Sequence, residues 1–120
     1  MATNRPAEYT VSVESARIRL SSGVWQTHFV AHDHVRVGTH ESLPLIYIQP
    51  TAETSGQWTY RLSPRRYDGY INCQDFLQVN NYHHTESTSY RAHWVEAIPG
   101  PVDGPSPGLV VDLSDPVGEL

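Results

Sequence analysis

The stretch YTVSVESARIRL, residues 9–20, decides the fold class of this chain. Apolar residues fall on every second position, first at Tyr9, Val11 and Val13 and then, one step out of phase, at Ala16, Ile18 and Leu20. A period of two is typical of a strand that buries one face. The change of phase predicts a bulge or a break near Glu14 and Ser15, because a shift of one residue moves every side chain to the other face.

The same period continues along the chain and predicts an all-β domain. Further segments with strand character are residues 24–37, 45–49, 57–62, 88–98 and 109–113. Asp68 and Gly69 give the strongest hairpin turn signal. Residues 71–79 fit either a strand or a short helix that begins at Asp75. Seven or eight short strands with Gly- and Pro-rich turns predict a single-domain antiparallel β-sandwich or a small β-barrel.

Residues 24–37 form the longest of these predicted strands. Its expected core face carries Trp25, Thr27, Phe29, Ala31, Val35 and Val37. Its other face carries His28, His32, His34 and Arg36. Asp33 falls on the apolar face and breaks the pattern. We therefore expect either a turn or bulge at this point, or a buried Asp33 carboxylate with a partner.

The length of 120 residues is that of one domain. We expect a β domain over residues 1–98 and an extended, acidic, Pro- and Gly-rich tail over residues 99–120. The tail holds four acidic residues and no basic one, whereas the body holds nine acidic residues against eight arginines. The tail is expected to pack either on its own domain or on a neighbouring subunit. The second arrangement would join subunits, and a homo-oligomer is the state that we expect.

Composition also limits the partners and the location. A near-neutral body argues against nucleic acid as a partner, because such binding needs a basic patch. The pair Arg65 and Arg66 is the only local basic cluster. No apolar stretch approaches the roughly 20 residues that span a bilayer, and residues 1–8 lack the apolar region of a signal peptide. With a single cysteine, Cys73, these features predict an intracellular or virion-associated protein.

The residue pattern favours a non-catalytic β domain that binds a ligand. The expected ligand is a carbohydrate or another small molecule. Planar rings beside amide and charged groups suit sugar recognition. The candidate ligand-binding residues are Trp58, Tyr67, Tyr70, Asn80, Asn81, Tyr82, His83 and Arg91. No cofactor is expected for this function. Plain core packing is the competing interpretation for Trp58.

A metal-dependent β-barrel enzyme is the first alternative. His32 and His34 would present two imidazoles on one side of a strand, which is a common start of a zinc or iron site. The candidate metal ligands are His28, His32, His34, His84 and His93. The competing interpretation is that these histidines occupy ordinary polar positions. A structural accessory subunit of a phage or virus particle is the second alternative.

Overall fold

The computed structural model describes residues 8–40, 42–82, 87–98 and 106–117. Within these residues, eight strands form one closed antiparallel barrel, which confirms the all-β prediction. The strands are β1 Glu8–Val13, β2 Arg17–Leu20, β3 His34–Thr39, β4 Leu45–Thr51, β5 Thr59–Pro64, β6 Gly69–Asn72, β7 Thr88–Ile98 and β8 Ser106–Pro116. Their order around the barrel is β1-β2-β6-β5-β3-β4-β8-β7.

Two predicted turns join neighbouring strands. The change of phase near Glu14 is the β1–β2 hairpin, in which Val13 pairs with Ile18. The Asp68–Gly69 signal lies at the β5–β6 hairpin, where the loop of residues 65–68 is closed by the Arg65 amide donating to the Asp68 carbonyl at 2.7 Å. Both hairpins connect strands that are adjacent in the barrel.

The prediction of one strand over residues 24–37 is wrong. Residues 22–24 form a short helix, α1 (Ser22–Val24), which continues as a π-helical turn over Trp25–Phe29. Strand β3 begins only at His34. The physical reason is that Val24, Trp25 and Phe29 bury one side of a helical segment in the core. His28, His32, His34 and Arg36 therefore do not share one strand face.

Residues 71–79, for which the sequence fits either a strand or a helix, contain the end of a strand and then a helix. Strand β6 ends at Asn72, and helix α2 (Gln74–Val79) follows. Phe76 and Leu77 are buried, while Val79 is 70% exposed. A strand would have placed Val79 on the same face as Leu77.

The two helical segments lie at opposite ends of the barrel. Residues 22–29 follow Leu20, which pairs with Gly69, whereas α2 follows Asn72, which pairs with Arg17. Each segment contributes buried side chains to the single hydrophobic core. We refer to the end that carries residues 22–29 as the first end and to the end that carries α2 as the second end.

The interior of the barrel is filled by side chains. The buried inward-facing residues are Val11, Val13, Ile18, Leu20, Val35, Val37, Ile46, Ile48, Leu62, Ile71, Tyr90, Ala92, Leu109 and Val111. Barrels of eight strands either pack their interior or enclose one small ligand. Because this interior is packed, the space for a ligand lies on the outer surface and at the ends of the barrel.

The C-terminal part of the described chain belongs to the barrel. Strand β8 lies between β4 and β7, with Leu109 opposite Ile48 and Val111 opposite Ala92. The short strand predicted over residues 109–113 is part of this longer strand. In the part of the chain that the structure describes, no helix is long and apolar enough to cross a membrane.

Candidate functional site

A surface cavity of about 490 Å³ opens at the first end of the barrel. It is lined by Trp25, Gln26, Val30, His32, Asp33, Arg61, Leu62, Pro64, Arg65 and Arg66. Small-molecule sites usually measure roughly 300–1,000 Å³ and combine apolar walls with a few polar groups. The volume and the mixed lining both fit such a site. We call it the arginine cavity.

Strand pairing brings the two halves of the arginine cavity together. In the β3–β5 pair, His34 lies opposite Arg61. One residue further out, the Leu62 amide donates to the Asp33 carbonyl at 2.7 Å. This hydrogen bond ties the segment between the π-helical turn and β3 to strand β5. Arg61 therefore lies beside His32 and Asp33, although about 30 residues separate them in sequence.

The floor of the cavity depends on a close approach between Trp25 and strand β6. The Trp25 side chain is only 4% exposed. A Cβ added at Gly69 would lie 2.5 Å from Cζ3 of Trp25, so the ring covers the glycine directly. The indole thus fills the space that a side chain at residue 69 would occupy. Trp25 and Leu62 are both buried, apolar residues of the lining, and together they form the base of the cavity.

Arg65 is held in place by three contacts of the β5–β6 loop. Its NH1 group donates to the Tyr70 hydroxyl at 2.6 Å, and its guanidinium lies 5.3 Å from the Tyr70 ring centroid. Its Nε atom is 3.9 Å from Asp68 Oδ1, while Arg19 donates to Asp68 Oδ2 at 2.9 Å. Because Asp68 is shared between two arginines, it neutralises Arg65 only in part.

Arg61 and Arg66 add positive charge to the lining of the cavity. Among the residues that the structure describes, no carboxylate lies within ion-pair distance of either guanidinium. Arg66 lies over the ring of Tyr67, 5.8 Å from its centroid. Asp33 is the only acidic residue in the described part of the lining. The cavity is therefore locally basic, although the formal net charge of the chain is −5.

The predicted ligand-binding residues are divided between different parts of the barrel. Tyr67 and Tyr70 belong to the first end, where they contact the arginines of the cavity. At the second end, the Trp58 ring packs edge-on against Phe76, and Asn80 Nδ2 donates to the Phe76 carbonyl at 2.9 Å. The structure therefore does not bring these residues into one site.

The remaining ligand-binding candidates are also distant from the arginine cavity or fall outside the description. Asn81 follows α2 with a positive φ of 62°, and the Tyr82 side chain packs against the core. Arg91 lies on β7 and donates to Asp115 at 2.8 Å. His83 lies outside the described residues.

The predicted metal ligands take separate positions. His28 lies in the π-helical turn, His32 is exposed in the following loop, His34 begins β3 and His93 lies on β7. His84 lies outside the described residues. No group of three or more His, Cys, Asp or Glu side chains within residues 8–40, 42–82, 87–98 and 106–117 is placed to hold a metal ion. The zinc or iron site stays a prediction.

His28 is instead part of an aromatic cluster. Its ring stacks on Trp94 with 3.8 Å between centroids and 6° between planes. Its Nε2 atom lies 3.1 Å from the Tyr9 hydroxyl. Burial lowers the pKa of His28 below its ordinary value, and the nearby Glu96 opposes part of that change. The neutral imidazole is therefore the form that this packing favours.

We expect the protein to lose stability as the pH falls below about 6.5, with His28 as one source of the loss. The folded-state pKa of His28 lies below the reference value of 6.5, so the unfolded chain takes up the proton first. The His28→Phe variant keeps a planar ring and removes the titration. Between pH 7.5 and pH 5.5, its free energy of unfolding should decrease less than that of the wild type. The Tyr9→Phe variant is the control that keeps His28, and equal pH dependence in all three proteins would contradict this prediction.

Sequence reasoning missed most of the arginine cavity. The alternation of residues 24–37 predicts a strand for Trp25, Gln26 and Val30. No local pattern indicates that Arg61 belongs to a site. One useful signal was the basic pair Arg65 and Arg66. A second was Asp33, whose conflict with the apolar alternation marks the segment where the chain leaves the helical turn and enters β3.

Fold and site together define a small closed antiparallel β-barrel with an arginine-lined cavity at one end. Comparison with protein-family models, curated proteins and solved structures finds no match to this chain. We therefore infer function from the shape of the cavity and from the chemistry of its side chains.

Proposed function

We propose that this barrel is a non-catalytic binding domain for an acidic carbohydrate, whose anionic group is held by Arg61, Arg65 and Arg66. The observation that carries the proposal is the 490 Å³ cavity lined by these three arginines above an apolar floor. A guanidinium presents a planar fork of donors that matches carboxylate, phosphate and sulfate groups. Three such forks around one cavity favour an anion over a neutral ligand.

The charge state of the arginines supports anion binding. Arg61 and Arg66 have no carboxylate partner among the described residues, so no internal ion pair must break before a ligand binds. Arg65 is already oriented by the Tyr70 hydroxyl at 2.6 Å. Preorganised donors lower the entropic cost of binding. Because the arginines are exposed, added salt is expected to weaken the interaction.

The other side chains around the cavity favour a sugar as the carrier of the anion. Tyr67 does not line the cavity but follows Arg66 and is 62% exposed, so the ring face opposite the Arg66 guanidinium can meet the C–H groups of a pyranose. Gln26 donates through Nε2 to the Tyr67 carbonyl at 3.2 Å, and its amide oxygen remains an acceptor for hydroxyl groups. The Asp33 carboxylate is a second acceptor on the same lining.

Calorimetric titration with hexose phosphates, uronic acids and their uncharged parent sugars tests the proposal. We expect at least one acidic sugar to bind and its uncharged parent to bind at least about tenfold more weakly, which corresponds to roughly 1.4 kcal/mol. Inorganic phosphate alone should bind more weakly than the acidic sugar, because it reaches the arginines but not Tyr67. If no acidic sugar binds at concentrations up to about 10 mM, the proposal is wrong.

Substitution of Arg61 and of Arg66 tests the site. Arg61→Gln and Arg66→Gln should each weaken binding of the acidic sugar by about tenfold to a hundredfold, since a hydrogen bond to a charged group contributes roughly 1.5–3 kcal/mol. Arg91→Gln is the matched control, because Arg91 pairs with Asp115 at 2.8 Å on β7 and does not line the cavity. An equal loss in the control would mean that overall charge, and not this cavity, determines binding.

A further inference from the structure

A second cavity of about 420 Å³ adjoins the arginine cavity. It is lined by Ala31, His32, Asp33, His34, Pro50, Thr51, Ala52 and Thr54. His32 and Asp33 line both cavities, so the two cavities lie on either side of these two residues. We call it the threonine cavity.

The threonine cavity differs in chemistry from its neighbour. Among the described residues, its polar groups are two hydroxyls, two imidazoles and the Asp33 carboxylate, and its lining contains no arginine. Hydroxyls and imidazoles both donate and accept hydrogen bonds, while a carboxylate accepts only. This set matches the hydroxyl groups of a neutral sugar. A second anion in this cavity would meet the Asp33 carboxylate, whereas the three arginines line the neighbouring cavity.

The wall formed by residues 51–54 is fixed by contacts at its base. Thr51 lies opposite His34 in the β3–β4 pair. The Glu53 amide donates to Thr51 Oγ1 at 3.1 Å, and the Glu53 carboxylate forms an ion pair with Arg36. The loop is therefore tied to both strands β3 and β4, and it presents the Thr54 side chain to the cavity in a defined position.

We propose that the threonine cavity binds a neutral, hydroxyl-rich sugar unit joined to the acidic unit, so that the ligand is an acidic disaccharide or a longer chain. This inference rests on the function proposed above and specifies its ligand. Asp33 lies between the two units and accepts hydroxyl groups from either. Each cavity alone has the volume of a small-molecule site. A single acidic monosaccharide would therefore occupy only one of the two cavities.

The Ala52→Leu variant provides a selective test, because Ala52 lines the threonine cavity and not the arginine cavity. The probes are acidic monosaccharides and the disaccharides that extend each of them by one neutral hexose, all titrated by calorimetry against the full chain. In the wild type, we expect the best disaccharide to bind at least about tenfold tighter than its own acidic monosaccharide. Ala52→Leu should remove that gain and leave monosaccharide affinity unchanged.

Ala97→Leu is the matched control, because Ala97 is likewise exposed, lies on β7 and lines neither cavity. It should leave both affinities unchanged. If an acidic monosaccharide binds as tightly as every disaccharide that contains it, or if Ala52→Leu leaves the gain intact, this inference is overturned while the proposed function stands. If neither class of acidic sugar binds, the proposed function itself fails.

Discussion

Replacing Phe29 by alanine is expected to lower the free energy of unfolding by about 3–5 kcal/mol, the usual cost of removing a buried aromatic side chain. Phe29 is fully buried and packs edge-on against Trp94, with 5.9 Å between ring centroids. It is the last residue of the π-helical turn that covers the first end of the barrel. Its loss leaves a cavity in the core that its neighbours can fill only in part.

Two neighbouring substitutions make the Phe29 experiment specific. Val30→Ala changes a side chain that is 59% exposed and should alter stability by less than about 0.5 kcal/mol. Thr27→Glu should be equally well tolerated, because Thr27 is exposed on the helical segment. In a strand, Thr27 would share the buried face of Phe29, and a glutamate there would be costly. Urea denaturation of the three variants gives the comparison. A small effect of Phe29→Ala, or a large effect of Thr27→Glu, would contradict the structure of the first end.

Alternation predicted the strands wherever a segment had one buried face and one exposed face. In β1 and β2, the residues on the inward face are fully buried, as at Val11 and Ile18. In β7, Tyr90 and Ala92 are buried and Arg91 between them is not. These strands could be predicted because burial on one face of a barrel wall imposes the period of two directly on the sequence.

The error at residues 24–37 has a physical cause in the spacing of two aromatic residues. Trp25 and Phe29 are four positions apart, and that spacing fits both the alternation of a strand and one turn of a helix. The residues that separate the two structures are Thr27 and Ala31, which a strand would bury and which are exposed. Val24 is buried next to Trp25, and two consecutive buried residues are typical of a helix face.

The arginine cavity could not be predicted from any local pattern. Arg61 and Asp33 come together through the register of the β3–β5 pair, and register depends on long-range packing. A shift of two residues along β5 would preserve the buried face and still move Arg61 away from Asp33. The histidines were predicted as metal ligands, whereas the cationic groups of the cavity are three arginines, of which Arg61 has no basic neighbour in the sequence.

Replacing Gly108 by alanine is expected to lower the free energy of unfolding by about 2–3 kcal/mol, the upper part of the range for overpacking a core. A Cβ at this position would lie 2.7 Å from Cδ1 of Ile98, 2.8 Å from Cγ of Gln49 and 2.9 Å from the Ile48 carbonyl oxygen. The two side chains can adjust, but the carbonyl belongs to the backbone of β4. Moving it disturbs the pairing in which Ile48 lies opposite Leu109.

Gly38→Ala is the matched control for Gly108→Ala, because Gly38 also lies within a barrel strand and a Cβ added there meets nothing within 4 Å. Its effect should be within about 0.5 kcal/mol or slightly stabilising, since alanine restricts the unfolded chain more than glycine does. The pair of variants distinguishes two arrangements of the C-terminal segment. A strand that is packed between β4 and β7 has no room for a methyl group at Gly108. An extended tail that lies loosely on the barrel would accept it, and the two variants would then be equally stable.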